Sequence, residues 1–209
     1  MLETNLVPAL EKGSARLMIV LHGLGDSMEG YRWLPPALNL PWLNYLLVNA
    51  PDTYFGGFSW YDFAVDAAPG VLRSRALLFD LLDEQKKRGF RIDQMTIFGF
   101  SQGCLMTIDV GLRYPERFAG LVGISGCIHE PERLLKELSP VARQQRLLIT
   151  HGVDDPLIPF GPVREQINRL KAEGIRIEWH EFPKAHTIAG EYELAVVRDF
   201  IARCYAVSA

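Results

Sequence analysis

Met95-Thr96-Ile97-Phe98-Gly99-Phe100-Ser101-Gln102-Gly103-Cys104-Leu105 is the stretch on which the fold turns. Its first four residues are an apolar run of strand length. From Gln102 to Arg113 the chain is apolar on almost every side, as a helix buried inside a fold must be. Between the two stands Gly99-x-Ser101-x-Gly103. A serine on a sharp strand-to-helix turn needs small residues two positions away on each side, because a side chain there would meet the neighbouring strand or helix. Such a turn lifts Oγ clear of the sheet and sets it at the positive end of the helix, where charge developing during acyl transfer is favoured. Taken bare, G-x-S-x-G is a weak pattern that also fits a glycine-rich turn with a surface serine. A strand before it and a helix after it are the context that points to a nucleophile.

The same alternation continues on both sides of the elbow. Leu17–Leu21, Tyr45–Val48, Leu121–Ile124, Leu147–Thr150 and Arg176–His180 are further strand-length runs, mostly apolar on both faces. Strands of that kind belong to a buried parallel sheet rather than to a sandwich. Residues 70–88, 102–113, 161–173 and 190–204 carry helical patterning, and Gly89 and Gly174 stop two of these segments. Strands alternating with helices imply an α/β fold with helices on both faces of a mostly parallel sheet. Residues 1–209 contain no internal repeat, low-complexity tract or linker, so a single domain is expected.

Composition narrows the function classes. Twenty-two Lys and Arg against twenty-five Asp and Glu give a formal charge of −3, with no basic block to neutralise phosphates, so nucleic acid is not an expected partner. Three cysteines, Cys104, Cys127 and Cys204, suit buried reduced thiols rather than a disulfide framework, and with no signal-peptide pattern at Met1–Asn5 they imply a cytoplasmic setting. No apolar run approaches the roughly 18–20 residues of a membrane span. No histidine pair has a zinc-type spacing, and neither a metal nor an organic cofactor is implied.

An elbow serine needs a histidine base and a carboxylate to orient it, in the chain order Ser, acid, His. Of the histidines after Ser101, His180 lies inside a strand pattern, His151 precedes the acid candidates and His129 sits before the helix start at Glu130-Pro131. His186, in the loop after the last strand, satisfies the order. The acid lies in His151-Gly152-Val153-Asp154-Asp155-Pro156, at the end of a strand, and spacing leaves both aspartates open. Two backbone N–H groups should stabilise the oxyanion: that of Gln102, after the nucleophile, and that of Leu24, in the strand-end loop His22-Gly23-Leu24-Gly25.

Taken in order, Leu21-His22-Gly23-Leu24-Gly25-Asp26, Asn49-Ala50-Pro51, Trp60-Tyr61-Asp62, Gly99-Phe100-Ser101-Gln102-Gly103, Tyr114-Pro115-Glu116-Arg117-Phe118, Ser125-Gly126 and His151-Gly152-x-x-Asp155-Pro156 resemble the phospholipase/carboxylesterase family of α/β-hydrolases, which includes the acyl-protein thioesterases. The resemblance runs from about Arg16 to Cys204. It implies an α/β-hydrolase fold without a cap domain and a triad Ser101–Asp155–His186, and so decides for Asp155 over Asp154. It also implies an oxyanion hole from Leu24 and Gln102, and a substrate contact from Trp60, for which a place in the core is the competing reading. The implied activity is serine hydrolysis of small-molecule acyl esters, short to medium in chain length, through an acyl-enzyme. A long-chain acyl-protein or lysophospholipid (thio)esterase is the alternative. A non-catalytic binding protein would be expected to lack a triad member, and a dienelactone hydrolase relative would carry cysteine at position 101. Departures from the family pattern are Cys104, where glycine is common, Lys184-Ala185 in place of Met-Gly before the histidine, and a short segment from Asp52 to Ser59. Pocket walls are expected from Leu24–Leu34, Phe55–Phe63, the Ile128 turn and Leu157–Phe160.

Overall fold

Strand periodicity divides the core in two. Leu17, Ile19 and Leu21 face one side of the sheet, and Met18 and Val20 face the other. In the computed structural model, which describes residues 1–62 and 64–206, the strands are β1 (Thr4–Val7), β2 (Leu17–Leu21), β3 (Asn44–Val48), β4 (Asp52–Tyr54), β5 (Gly57–Ser59), β6 (Met95–Phe100), β7 (Gly120–Ile124), β8 (Arg146–Gly152) and β9 (Arg176–Phe182). Helices are α1 (Leu34–Leu38), α2 (Ala67–Lys87), α3 (Gln102–Arg113), α4 (Pro131–Lys136), α5 (Phe160–Ala172) and α6 (Glu191–Ala206).

Seven strands form one sheet in the order β1-β3-β2-β6-β7-β8-β9, parallel except for β1, which runs antiparallel to β3 at the edge. The first core layer packs α2, α3 and α5 against Leu17, Ile19, Ile97 and Leu121; the second packs α1 and α6 against Met18, Val20, Phe98 and Val122. This is the α/β-hydrolase arrangement of a mostly parallel sheet with helices on both faces. Every strand expected from the apolar runs is present, and β1 and the β4–β5 hairpin are added to them. The hairpin turns through Phe55 and Gly56, both with positive φ, the backbone of a two-residue turn. Connection 49–66, at the carboxyl edge of the sheet, carries only this hairpin among its described residues. No helix among the described residues is long and apolar enough to cross a membrane.

Topology places the site. The chain leaves β2 toward β3 on one side and returns to β6 on the other, so the crossing direction reverses between β2 and β6. Beyond the carboxyl ends of two such strands an open α/β sheet has its natural crevice. Leu21-His22-Gly23 emerges from one strand there and Phe100-Ser101 from the other.

Candidate active site

Ser101 stands between β6 and α3 with φ 54° and ψ −114°, a conformation that costs a non-glycine residue about 1–3 kcal/mol. Neighbouring backbone fixes it: the Ser101 N–H donates to the Ile124 carbonyl at 2.9 Å, and the Leu105 N–H donates to the Ser101 carbonyl at 3.2 Å. Both flanking glycines are forced. A Cβ at Gly99 would run into the Gly103 carbonyl, and one at Gly103 into the Leu21 and His22 carbonyls. Close approach of β6, α3 and β2 therefore leaves no room for any other residue at either position.

His186 lies in the loop after β9, its Nε2 2.9 Å from Ser101 Oγ and its Nδ1 2.7 Å from Asp155 Oδ2. Asp155 Oδ1 accepts from the N–H groups of Leu157 and Ile158, each at 2.9 Å. Burial by itself would raise the Asp155 pKa. Hydrogen bonds from Ile158, His186 and Leu157 outweigh it and hold the carboxyl below its ordinary range. With Asp155 ionised, Nδ1–H donates to it and Nε2 is left to accept from the serine hydroxyl. Asp154 is exposed, and its N–H donates to the Lys184 carbonyl at 3.2 Å. His151 lies behind Asp155, fully buried, its Nε2 2.9 Å from the Ile158 carbonyl and 3.7 Å from Asp155 Oδ2. Burial lowers its pKa. His129 and His180 sit beside Glu130 and Glu178, away from this chain of contacts.

Two residues from His186 the structure buries an ion pair that the sequence reading did not anticipate. Lys184 Nζ donates to both Glu193 carboxylate oxygens, at 2.6 and 2.8 Å, with the two side chains 3% and 0% exposed. Thr150 Oγ1 and the Ala189 N–H also donate to Glu193. The carboxylate thus ties the end of β8, the histidine loop and the first turn of α6 together. Burial lowers the Lys184 pKa, and Glu193 opposes that shift. Lysine at position 184 was visible as a departure from the family pattern; its partner nine residues on was not.

The loop carrying Leu24 is held from behind. The Ala50 N–H donates to His22 Nε2 at 3.1 Å, which puts the imidazole proton on Nδ1, 2.6 Å from the Gly23 carbonyl. Burial lowers the His22 pKa and keeps this neutral tautomer. Trp60 belongs to the same support, contrary to the expectation that it contacts substrate. It is fully buried, its indole N–H donating to the His22 carbonyl at 2.9 Å. The Gln102 side chain faces the same way: its Oε1 accepts from the Trp60 N–H at 2.9 Å and its Nε2 donates to the Tyr61 carbonyl at 2.8 Å. Only the backbone of Gln102, in the first turn of α3, is left to face a reacting group.

A cleft of about 470 Å³ opens over Ser101, with Leu24, Tyr61, Phe100, Cys127, Leu157 and Ile158 as its apolar walls. Tyr61 takes the place expected of Trp60, and Cys127 that of its neighbour Ile128, which is buried in the core. Phe55 is 97% exposed and is no part of the wall; Phe63, the end of that expected segment, lies outside the described residues. Cys104 is buried in α3 with its thiol pKa pushed up by burial, its sulfur filling the space against Gly123 and Gly126. Among the described residues no three His, Cys, Asp or Glu side chains gather as a metal site would require.

Residues 3–205 match the model of the phospholipase/carboxylesterase family. Acyl-protein thioesterase 1 of Schizosaccharomyces pombe is 32% identical over 155 residues, covering 68% of this chain and 69% of that protein. Its namesake from Yarrowia lipolytica is 28% identical over 216 residues, covering 93% and 94%. Among solved structures, that of esterase PE8 superposes with a TM-score of 0.87 at 26% identity, covering 97% of this chain and 99% of that one.

Proposed function

The chain belongs to the phospholipase/carboxylesterase family of hydrolases, and from that membership we propose that Ser101, His186 and Asp155 act as its catalytic triad, with the whole chain working as one catalytic domain. The unbroken hydrogen-bond chain Asp155–His186–Ser101, at 2.7 and 2.9 Å beside an apolar cleft, carries this reading. Ser101 Oγ attacks the acyl carbonyl carbon and gives its proton to His186 Nε2. The N–H groups of Leu24 and Gln102 receive the oxyanion, a contribution of roughly 2.7–4 kcal/mol per donor in comparable sites. As the bond to the leaving group breaks, His186 returns the proton to it and the acyl group stays on Ser101. Water then attacks this ester with His186 as base, releasing the carboxylic acid. Asp155 holds the imidazole in the tautomer that both halves need.

Substrates are carboxylic esters or thioesters with short to medium acyl chains. Apolar walls over Ser101 match an acyl group, each buried methylene contributing about 0.8 kcal/mol, and the rim residue Leu157 is 71% exposed, so a longer chain runs out into water. The acyl-protein thioesterases among the relatives favour a second reading, hydrolysis of long acyl chains from proteins. A fluorophosphonate probe should label the wild type and fail on Ser101→Ala. A chain-length series of p-nitrophenyl esters should then peak at or before about eight carbons; kcat/KM climbing steadily to palmitate decides for the second reading.

A further inference from the structure

Across Phe100 and His186 from the acyl cleft lies a second groove of about 430 Å³. Asp26, Phe100 and His186 line both and form the ridge between them. Tyr31, Trp33, Thr187 and Ile188 line only the second. The first cleft holds Ser101, Leu24 and Gln102, where the acyl carbon and its oxyanion belong in the triad reading. His186 must protonate the departing group, so that group has to lie against the imidazole, on the side where the second groove begins.

The wall of this groove carries a negative charge. Among the described residues Asp26 is the one carboxylate in that wall, and no Lys or Arg is part of it. Arg32 and Arg198, outside that wall, are paired with Glu29 and, at 3.0 Å, with Glu191. The carboxylate is held in place: Asp26 Oδ1 accepts from the Ser27 N–H at 2.7 Å and occupies the space that a side chain at Gly30 would need. Tyr31 and Trp33 stand with ring centroids 6.1 Å apart, and Trp33 is 41% exposed. A carboxylate and an exposed indole lining one groove are a combination that attracts an organic cation.

We propose that this groove is a leaving-group subsite and that Asp26 and Trp33 make the enzyme prefer esters and thioesters whose alcohol or thiol part carries a positive charge, an amine or a quaternary ammonium, over neutral or anionic ones. The proposal rests on the triad reading above. In the acylation step the acyl C–O bond of an ester, or the C–S bond of a thioester, breaks, the acyl group passes to Ser101 and the serine proton passes through His186 to the departing oxygen or sulfur. The ammonium itself takes no part in bond making.

The test compares butyrylcholine with 3,3-dimethylbutyl butyrate, a neutral ester of the same shape, each rate divided by its alkaline hydrolysis rate to remove intrinsic reactivity. In the wild type the corrected kcat/KM should favour the choline ester about tenfold, and the ratio should shrink as ionic strength rises from 20 to 500 mM. Asp26→Asn keeps the acceptor for Ser27 and should bring the ratio to within twofold of unity, while Trp33→Leu should lower it about threefold. A corrected wild-type ratio near one overturns the proposal, as does a ratio that survives both substitutions. Should Asp26→Asn not fold, a salt-independent wild-type ratio overturns it equally. Moving the trimethylammonium to the acyl end should give no Trp33-dependent gain; such a gain would assign the groove to the acyl group and overturn the subsite. If neither butyrate ester nor p-nitrophenyl butyrate is cleaved with dependence on Ser101, it is the triad reading that fails.

Discussion

The two halves of the candidate site are held by different physics. Ser101 is fixed by backbone packing that is steric in kind: Gly99 lets β6 touch the Gly103 carbonyl, and Gly103 lets α3 touch the end of β2. Asp155 and His186 are fixed by polar groups, the carboxylate by its own turn and the histidine loop by segments far from it in sequence. Leu157 and Ile158 N–H groups hold the carboxylate, and the buried Lys184–Glu193 pair with Thr150 holds the loop that delivers the imidazole. The small residues that such a turn demands stand within five positions of one another, and so show in the sequence. A buried polar clamp exists only once β8, the loop after β9 and α6 have met.

The largest expected effect breaks the two halves apart. Ser101→Ala and His186→Ala should each lower kcat by on the order of 10³-fold or more, and the double variant little further, because members of a triad act as a unit. Losses that multiply would show that the elbow and the histidine loop work independently. Within the polar half, Asp155→Asn should lower kcat by roughly 10²–10⁴-fold, as the imidazole loses its tautomer. The exposed Asp154→Asn should retain most activity. The opposite ranking would transfer the orienting role to Asp154.

The clamp itself is tested by Lys184→Met, which leaves Glu193 buried without its partner. Removing one member of a buried pair typically costs about 3–5 kcal/mol, read here from denaturant midpoints, and Glu193→Gln in the same chain should recover part of it. An unchanged midpoint would mean that the histidine loop is held by its backbone alone.

The smallest effect concerns acid. Because hydrogen bonds hold the Asp155 pKa below its ordinary range in the folded protein, Asp155 contributes stability above about pH 4, where the unfolded carboxyl is also ionised. That contribution disappears as pH falls through the folded value. The stability difference between wild type and Asp155→Asn should therefore be full at pH 7 and shrink by pH 3, measured by urea denaturation. A constant difference would show that the hydrogen bonds to Asp155 do not favour its ionised form.

Legibility followed the same division. Strands β2, β3, β6, β7 and β8 are short, largely apolar runs buried on both faces, and such runs announce themselves; β9, at the sheet edge, is only partly buried. Edge strand β1 is only partly buried and pairs with β3 some forty residues later, so nothing local marks Thr4–Val7 as a strand. His186 could be chosen because its rivals were excluded by chain order. Trp60 lies in the core rather than against substrate, a choice the sequence leaves open because a motif position does not say which way a side chain turns. Its indole is claimed by the His22 carbonyl and its backbone by Gln102, both supplied by other segments.

The sequence by itself determined the α/β fold, the elbow serine and the order of the candidate triad, because each is written in periodicity, in small residues at fixed spacing or in order along the chain. Only the tertiary structure decided which side chains face the cleft, which tautomer His22 adopts, and that Lys184 meets Glu193. Burial and hydrogen-bond partnership are relations between segments, and a residue carries no record of the neighbour that will desolvate it until the chain has folded.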